Sequence, residues 1–470
     1  MDRIALCGVF DIPNYGDHLF PLILKSELRK RGCDFEVVLF SPFEAKESFV
    51  EDSHIYSLDK MEQMHQEKPF RAIIVGGGEI IHWHRYPQKR SFSSSSFENY
   101  PMDKIWIIPF FMKVKYGIPL LWNAPGIPYD FNIVKESANF LFSNIDYLSV
   151  RNEFSKQVLL DCGIPQETVH LVPDTGFALT SIESPDKLRA IRHELKLDTK
   201  EYVVFHCNRF ITNEDASAAI DVLNSLYEKG YEIYLLPLAY THNDDSKLKE
   251  IQDQSNGRFL MPKTPLSLIQ IISVLSGCAV YVGTSLHGTV TASVFGRKVV
   301  SFDYQKTKKT KDLYNILGYS DYYITDGSQL ASAVEKAFLE QKPADFSDIQ
   351  ARLKKHFDII TSILMNPHAK PNPSSQATNF SDLAHYFFSN TYECVGLRKR
   401  VKELTEALDT NINFVNVFKI QKSQLEREKE QLKQEQEKLE REKEQLEIAY
   451  QKTLRYKLAT VKKFISNNHS

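Results

Sequence analysis

Cysteine is scarce in this 470-residue sequence: Cys7, Cys33, Cys162, Cys207, Cys278 and Cys394 stand far apart, with no Cys-x-x-Cys pair. That spacing argues against a zinc ribbon or a disulfide framework and fits a reducing compartment. No run of about twenty apolar residues occurs, so no membrane-spanning helix is expected. The first apolar run, Ile4 to Phe10, is too short and too soon broken for a secretory leader, and a cytoplasmic protein is the expectation. An excess of one charge is also missing. Lys and Arg number 58 against 60 Asp and Glu, for a net charge of −2. No global field therefore favours nucleic acid, and none is expected as a partner. Neither G-x-G-x-x-G nor G-x-x-x-x-G-K-[ST] is present, which removes the dinucleotide fingerprint and the P-loop. His82-Trp83-His84 offers two metal ligands without an obvious third, so neither a metal nor a cofactor is expected.

What is present is apolar residue in quantity, 42% hydrophobic and 12% aromatic, enough to bury a sizeable core, in a length that suits two or three domains. Short apolar runs alternate with helical patterns. Ile4 to Val9, Glu36 to Phe40, Arg71 to Val75, Pro119 to Asn123 and Tyr147 to Val150 read as strands, with a helix from His18 to Arg31 stopped by Gly32. The rhythm restarts near residue 201. Tyr202 to Phe205, Glu232 to Pro237, Ala279 to Val282 and Val299 to Phe302 read as strands. Helices are expected at Glu214 to Lys229, Pro265 to Leu275 and Val290 to Phe295. Continuous apolar strands separated by helices predict parallel sheets covered on both faces. The fold class is α/β, with two Rossmann-like domains facing a cleft. The expected divisions are 1–180, 181–365, a Pro-containing linker over 366–394 and a helical tail over 395–470.

Several motifs sit where such sheets bind ligands, beyond strand ends. Residues 8–17 join the first strand to the first helix; Asn14 and Asp17 could meet an anion or sugar, or Asp17 could simply cap the helix. Gly76-Gly77-Gly78-Glu79 follows an apolar strand; Gly77 and Gly78 allow close backbone approach to a ligand, or only a tight turn. Trp83 and Tyr86, just beyond, could stack on sugar rings. Arg151 ends a strand, where its guanidinium suits a phosphate or carboxylate, or a structural ion pair. Val282 to Val290 runs from a strand through Ser285, His287 and Gly288 into a helix. Backbone amides there can cradle a phosphate, and His287 can donate a proton near neutral pH. In the basic loop Asp303 to Lys309, Lys306 lies nearest the strand end and is the lysine chosen to meet an anion.

Taken in order, these pieces resemble the polysaccharide pyruvyl transferase family. The matching residues are Asn14-Tyr15-Gly16-Asp17, the Gly76-Gly77-Gly78 turn, Ser149-Val150-Arg151 with Ser155, Gly163-Ile164, Val172-Pro173-Asp174, Leu286-His287-Gly288, Gly296 and Ser301-Phe302-Asp303. The resemblance covers roughly residues 4 to 320. It implies a GT-B-like fold holding phosphoenolpyruvate in the cleft, with pyruvate passing to a glycan or lipid-linked sugar acceptor. It makes His287 the catalytic histidine, with Arg151 and Lys306 as anion-binding cations. Family members commonly carry Arg just before Leu-His; here Ser285 stands there, and one expected cation is missing. Two other readings fit the same residues: a GT-B-like glycosyltransferase using a nucleotide sugar, and a non-catalytic scaffold acting through its tail.

The tail lies outside the resemblance. Leu425, Leu432, Leu439 and Leu446 recur every seven residues in a charge-rich stretch. Only half of a heptad seam is apolar, so a coiled coil making a homo-oligomer and a solvated single helix both fit. Leu454 to Ile465 is basic and amphipathic, which leaves open peripheral contact with the inner face of a membrane or merely a solvated helix end.

Overall fold

The computed structural model describes residues 2–45, 54–82, 88–89, 96–97, 100–132, 135–240, 243–367, 400, 422–448 and 451–452. Trp83, Tyr86, nearly all of the expected linker and the basic segment 454–465 lie outside the described residues. Met1–His385 forms one compact unit and Tyr386–Ser470 another.

The first sheet contains β1 (Arg3–Cys7), β2 (Glu36–Ser41), β3 (Ile55–Ser57), β4 (Phe70–Gly76) and, after the two-residue pair β5 (Gln88–Lys89) and β6 (Ser96–Phe97), β7 (Leu120–Asn123). Its order is β3-β2-β1-β4-β7, and all four pairings are parallel. β8 (Leu148–Val150) and β9 (Val169–Leu171) form a short parallel pair that touches β7 through Leu121 and Tyr147. The second sheet contains β10 (Tyr202–His206), β11 (Glu232–Leu235), β12 (Val280–Gly283), β13 (Lys298–Phe302) and β14 (Tyr323–Ile324). It runs β11-β10-β12-β13-β14, also parallel throughout. Ile4, Ala5 and Leu6 in β1 and Val203, Val204 and Phe205 in β10 are fully buried. Strands covered on both faces need such unbroken apolar runs. The two-domain GT-B-like arrangement expected from the sequence is the one observed.

Helix starts follow local chemistry. Ser267 and Gln270 form a reciprocal capping box, so the helix expected from Pro265 is Leu268–Gly277. Thr212 caps Asn213–Glu228, whose Ala216, Ala219, Ile220, Leu223 and Leu226 form the buried stripe. The first helix begins at Tyr15, not His18, and Asn14 rather than Asp17 is its N-cap. The helix expected from Val290 starts four residues earlier, as Leu286–Val294, because Ser285 accepts a bond from the Gly288 amide. His287 is thereby a first-turn residue.

The domains are joined by more than their linking chain. Tyr15 N–H donates to Leu238 O at 2.8 Å and Tyr240 N–H to Pro13 O at 3.1 Å. The buried hydroxyls of Tyr15 and Thr291 share a 2.7 Å bond. The last body helix, Ser347–Met365, returns to the first domain: His356 bonds Tyr147 and Asn123, both at 2.8 Å. Sequence rhythm places residues 347–365 with the second domain; the apolar and histidine face of this helix binds them to the first.

In the second unit, residues 422–448 form a helix. Leu425, Leu432, Leu439 and Leu446 are 60–71% exposed. Ion pairs at i,i+4, such as Lys438–Glu442, support it weakly. Among the described residues no helix is long and apolar enough to cross a membrane.

Two glycines test how tightly the chain is threaded. Gly77 has φ +87°, and a Cβ there would lie 1.9 Å from the Phe20 ring. Gly117 has φ +66° with open space around it. Gly117→Ala should cost about 1–2 kcal/mol for its left-handed backbone. Gly77→Ala adds overpacking of about 1–3 kcal/mol, so urea denaturation should rank it clearly below Gly117→Ala.

Candidate functional site

Both sheets open onto one cleft. From β1 the chain crosses to β2 on one side while β4 lies on the other; from β10 it crosses to β11 while β12 lies opposite. These are topological switch points, where open parallel sheets bind ligands. A cavity of about 430 Å³ lies there. Asn14, Asp17, Gly78, Glu79 and Arg151 line it from the first domain, and His206, Asn208, Ser285, His287 and Lys309 from the second.

Arg151 is the electrostatic centre, with its side chain only 8% exposed. Its Nη1 donates to Asp174 Oδ2 at 3.1 Å, and its Nη2 lies 3.3 Å from Glu79 Oε1. The other Glu79 oxygen meets Lys309 Nζ at 3.1 Å, across the domain boundary. Asp174 Oδ1 accepts the Gly176 amide at 2.8 Å, which fixes the carboxylate. Its Oδ2 lies 3.6 Å from His287 Nε2, within ionic range but beyond a hydrogen bond.

Burial and charge compete at each carboxyl group. Burial alone would raise Glu79, but Lys309 and Arg151 outweigh it and hold the group at about 2. Burial likewise opposes ionisation of Asp174, yet His287, Arg151 and the Gly176 amide hold it well below the usual carboxylate range. Asp17 goes the other way. Burial pushes it up to about 6, and attraction to His287, Arg151 and Lys309 offsets this only in part. The guanidinium of Arg151 would lose affinity for its proton through burial, but Glu79, Asp174 and Asp17 reverse this and raise it.

The imidazole of His287 sits in a fitted slot. Phe20 meets it edge-on, with ring centroids 5.5 Å apart. A Cβ on Gly16 would stand 2.2 Å from its Nδ1. The run Asn14-Tyr15-Gly16-Asp17 therefore has a separate task for each residue. Asn14 caps the helix, Tyr15 bonds the second domain, Gly16 admits the imidazole and Asp17 faces the cleft.

Of the residues singled out in the sequence, Asn14, Asp17, Gly78, Arg151, Ser285 and His287 line the same cavity. Three do not. Gly77 passes the Phe20 ring, and Gly288 packs its α-carbon against Tyr281 and Leu238. Gly288 also gives its amide to Ser285 Oγ at 3.2 Å. Lys306 is an exposed turn residue with φ +55°; the start of helix Lys308–Ile316 brings Lys309 to the cleft instead. His82 is buried, and its carbonyl accepts the Trp106 indole N–H at 3.1 Å. Glu79, Asp174 and Lys309 were visible inside quoted motifs but carried no role of their own. His206 and Asn208 carried no motif signal, and only the register of β10 beside β12 reveals them.

Comparison with known proteins agrees with this geometry. A family model described as polysaccharide pyruvyl transferase matches residues 14–306. The chain is 22% identical over 210 residues to the amylovoran biosynthesis protein AmsJ of Erwinia amylovora, covering 41% of this chain and 50% of that one. It thus spans half the length of that curated relative. Among solved structures it resembles UDP-GlcNAc 2-epimerase from Methanocaldococcus jannaschii, with TM-score 0.52, 12% identity, 77% of this chain and 100% of that one. At that identity the likeness is one of fold alone. The matched segment carries Asn14, Asp17, Arg151, Asp174 and His287, and it covers more than half of the sequence: the chain belongs to the polysaccharide pyruvyl transferase family.

Proposed function

We propose that this transferase moves pyruvate from phosphoenolpyruvate onto two hydroxyls of a glycan, closing a ketal. The observation that carries the reading is the convergence of Arg151, Lys309 and His287 on one cavity at paired switch points. Phosphoenolpyruvate presents a phosphate and a carboxylate close together. A guanidinium and an ammonium suit those groups, and Arg151 is pre-positioned by two carboxylates. Lys309 supplies a second cation in the cleft where Ser285 replaces the customary arginine. The first-turn amides of Leu286–Val294 add donors at a helix N-terminus.

In this reaction a glycan hydroxyl oxygen bonds to C2 while C3 gains a proton from His287. The C2–O bond to phosphate then breaks, phosphate leaves, and a second hydroxyl bonds to C2. Asp174 holds Arg151 through a hydrogen bond and stands 3.6 Å from the His287 imidazole. A second copy of the chain covering the leucine stripe of 422–448 is the matching role for the tail.

The test is phosphate release from phosphoenolpyruvate across a panel of glycan acceptors. His287→Ala should lower turnover about 10²–10⁴-fold, the usual worth of a positioned acid. Near-normal turnover in that variant would remove the role, and protection by a nucleotide sugar but not by phosphoenolpyruvate would replace the donor. Lys309 is 45% exposed, so Lys309→Met should leave stability intact. It should raise KM for phosphoenolpyruvate about tenfold, the worth of roughly 1.4 kcal/mol, while Lys306→Met leaves KM unchanged.

Asp17 gives a pH signature. Its folded value, about 6, lies above its ordinary 3.8. Its contribution to stability is full below the lower value and is lost as pH rises through the upper one. At pH 8 the ionised group costs on the order of 3 kcal/mol. Asp17→Asn should therefore melt above wild type at pH 8, and the gap should narrow towards pH 5. Equal gaps at both pH values would mean that Asp17 keeps one charge state throughout.

A further inference from the structure

We propose that His206, held by Asp244, is the catalytic base that takes the proton from the attacking glycan hydroxyl; this rests on the pyruvyl-transfer reading above. His206 ends β10 and pairs in register with Gly283, which ends β12. The two flank the switch point of the second sheet, and the chain runs from Gly283 through Thr284 and Ser285 to His287. The side chain lines the cleft and is 3% exposed.

Its two ring nitrogens have different surroundings. Nε2 lies 2.8 Å from Asp244 Oδ2. That oxygen also accepts the backbone amides of Leu238, at 3.2 Å, and Ala239, at 2.6 Å. Two amide donors fix the carboxylate as an acceptor, so Nε2 carries a hydrogen, and in the neutral ring Nδ1 is then the acceptor. Nδ1 has no hydrogen-bond partner among the described residues. An unpaired buried nitrogen costs about 1–3 kcal/mol. A staple between β10 and the loop after β11 needs only the Nε2 side, which leaves the buried, unpaired Nδ1 for a substrate hydroxyl that enters the cleft. A carboxylate on one nitrogen and a free acceptor on the other is the arrangement of an oriented base.

The two cleft histidines thus divide the work. His287 lies 3.6 Å from its carboxylate and gives a proton to C3. His206 takes the proton of the first hydroxyl as its oxygen bonds to C2. When the C2–O bond to phosphate breaks, that proton leaves with the phosphate. The second hydroxyl then bonds to C2 and its proton restores His287. The sum is one phosphoenolpyruvate and one diol converted to one ketal and one hydrogen phosphate, with both histidines returned to their starting states.

His206→Gln tests this, because a glutamine amide can keep the bond to Asp244 while Nδ1 is lost. Wild type, His206→Gln and Asp244→Asn are compared for phosphate release with a glycan acceptor, for stabilisation by phosphoenolpyruvate alone, and for melting temperature. Expected for His206→Gln are an unchanged fold, unchanged stabilisation by the donor and a kcat at least a hundredfold lower. Asp244→Asn, which turns the imidazole to the wrong tautomer, should lower kcat in the same direction with KM for the donor held. A kcat within threefold of wild type overturns the assignment, and so does a raised donor KM with kcat kept, which would make His206 an anion holder. Should His206→Gln not fold, Asp244→Asn carries the kcat comparison, with the same threshold of threefold. If wild type releases no phosphate from phosphoenolpyruvate with any acceptor, the transfer reading itself fails and the base falls with it.

Discussion

A guanidinium leaves water only where carboxylates take its place, and the centre of this molecule is organised by that requirement. Arg151 is almost covered, and Glu79 and Asp174 flank it. Removing either partner would leave a buried charge without compensation, at a cost of about 3–5 kcal/mol. Each carboxylate also reaches a group of the opposite domain, Glu79 the Lys309 ammonium and Asp174 the His287 imidazole. One buried charge thereby fixes the positions of two more groups, both contributed by the opposite domain. The turn after β4, the strand end at Arg151 and the loop of Asp174 are set by the same charge balance.

This balance explains the character of Asp17. With Arg151 and Lys309 largely neutralised by Glu79 and Asp174, little positive potential is left over for a third carboxyl group. Burial then dominates, and Asp17 holds its proton far above the ordinary carboxylate range. The cations of the cleft are thereby set in place by their carboxylate partners, not loose side chains that must be gathered. Preorganisation of this kind is where electrostatic catalysis gains most of its effect.

Much of the fold was legible in the sequence, because strands buried on both faces betray themselves as apolar runs. Ile4 to Val9 and Tyr202 to Phe205 needed no tertiary information. Helix starts were less legible. Reading the first helix from His18 left Asp17 open as its cap, since Asn14 and Asp17 are equally good capping residues and only the backbone at Tyr15 decides. The cleft was half legible. Arg151 and His287 sit in local patterns, but Lys306 was preferred over Lys309 on closeness to a strand end, whereas the turn directs Lys306 outward and the following helix turns Lys309 in. His206 and Asp244 are 38 residues apart in the chain, and no local pattern joins them. Parallel crossover topology alone makes them neighbours.

The domain boundary resists separation unequally along its length, and that inequality bears on access. On the floor of the cleft lie two backbone bonds between residues 13–15 and 238–240, the buried Tyr15–Thr291 pair and the slot of His287 against Gly16. Opening there would strand several buried polar groups, each costing about 1–3 kcal/mol. At the rim the Lys309–Glu79 pair has an exposed lysine, and exposed pairs are worth about 0–1 kcal/mol. The weaker resistance to separation therefore lies at Lys309, while His287 is held against the first helix. The interface is thus firmest where Gly16 admits the His287 ring and weakest at the exposed Lys309, and the glycine at position 16 is what lets the firm part close.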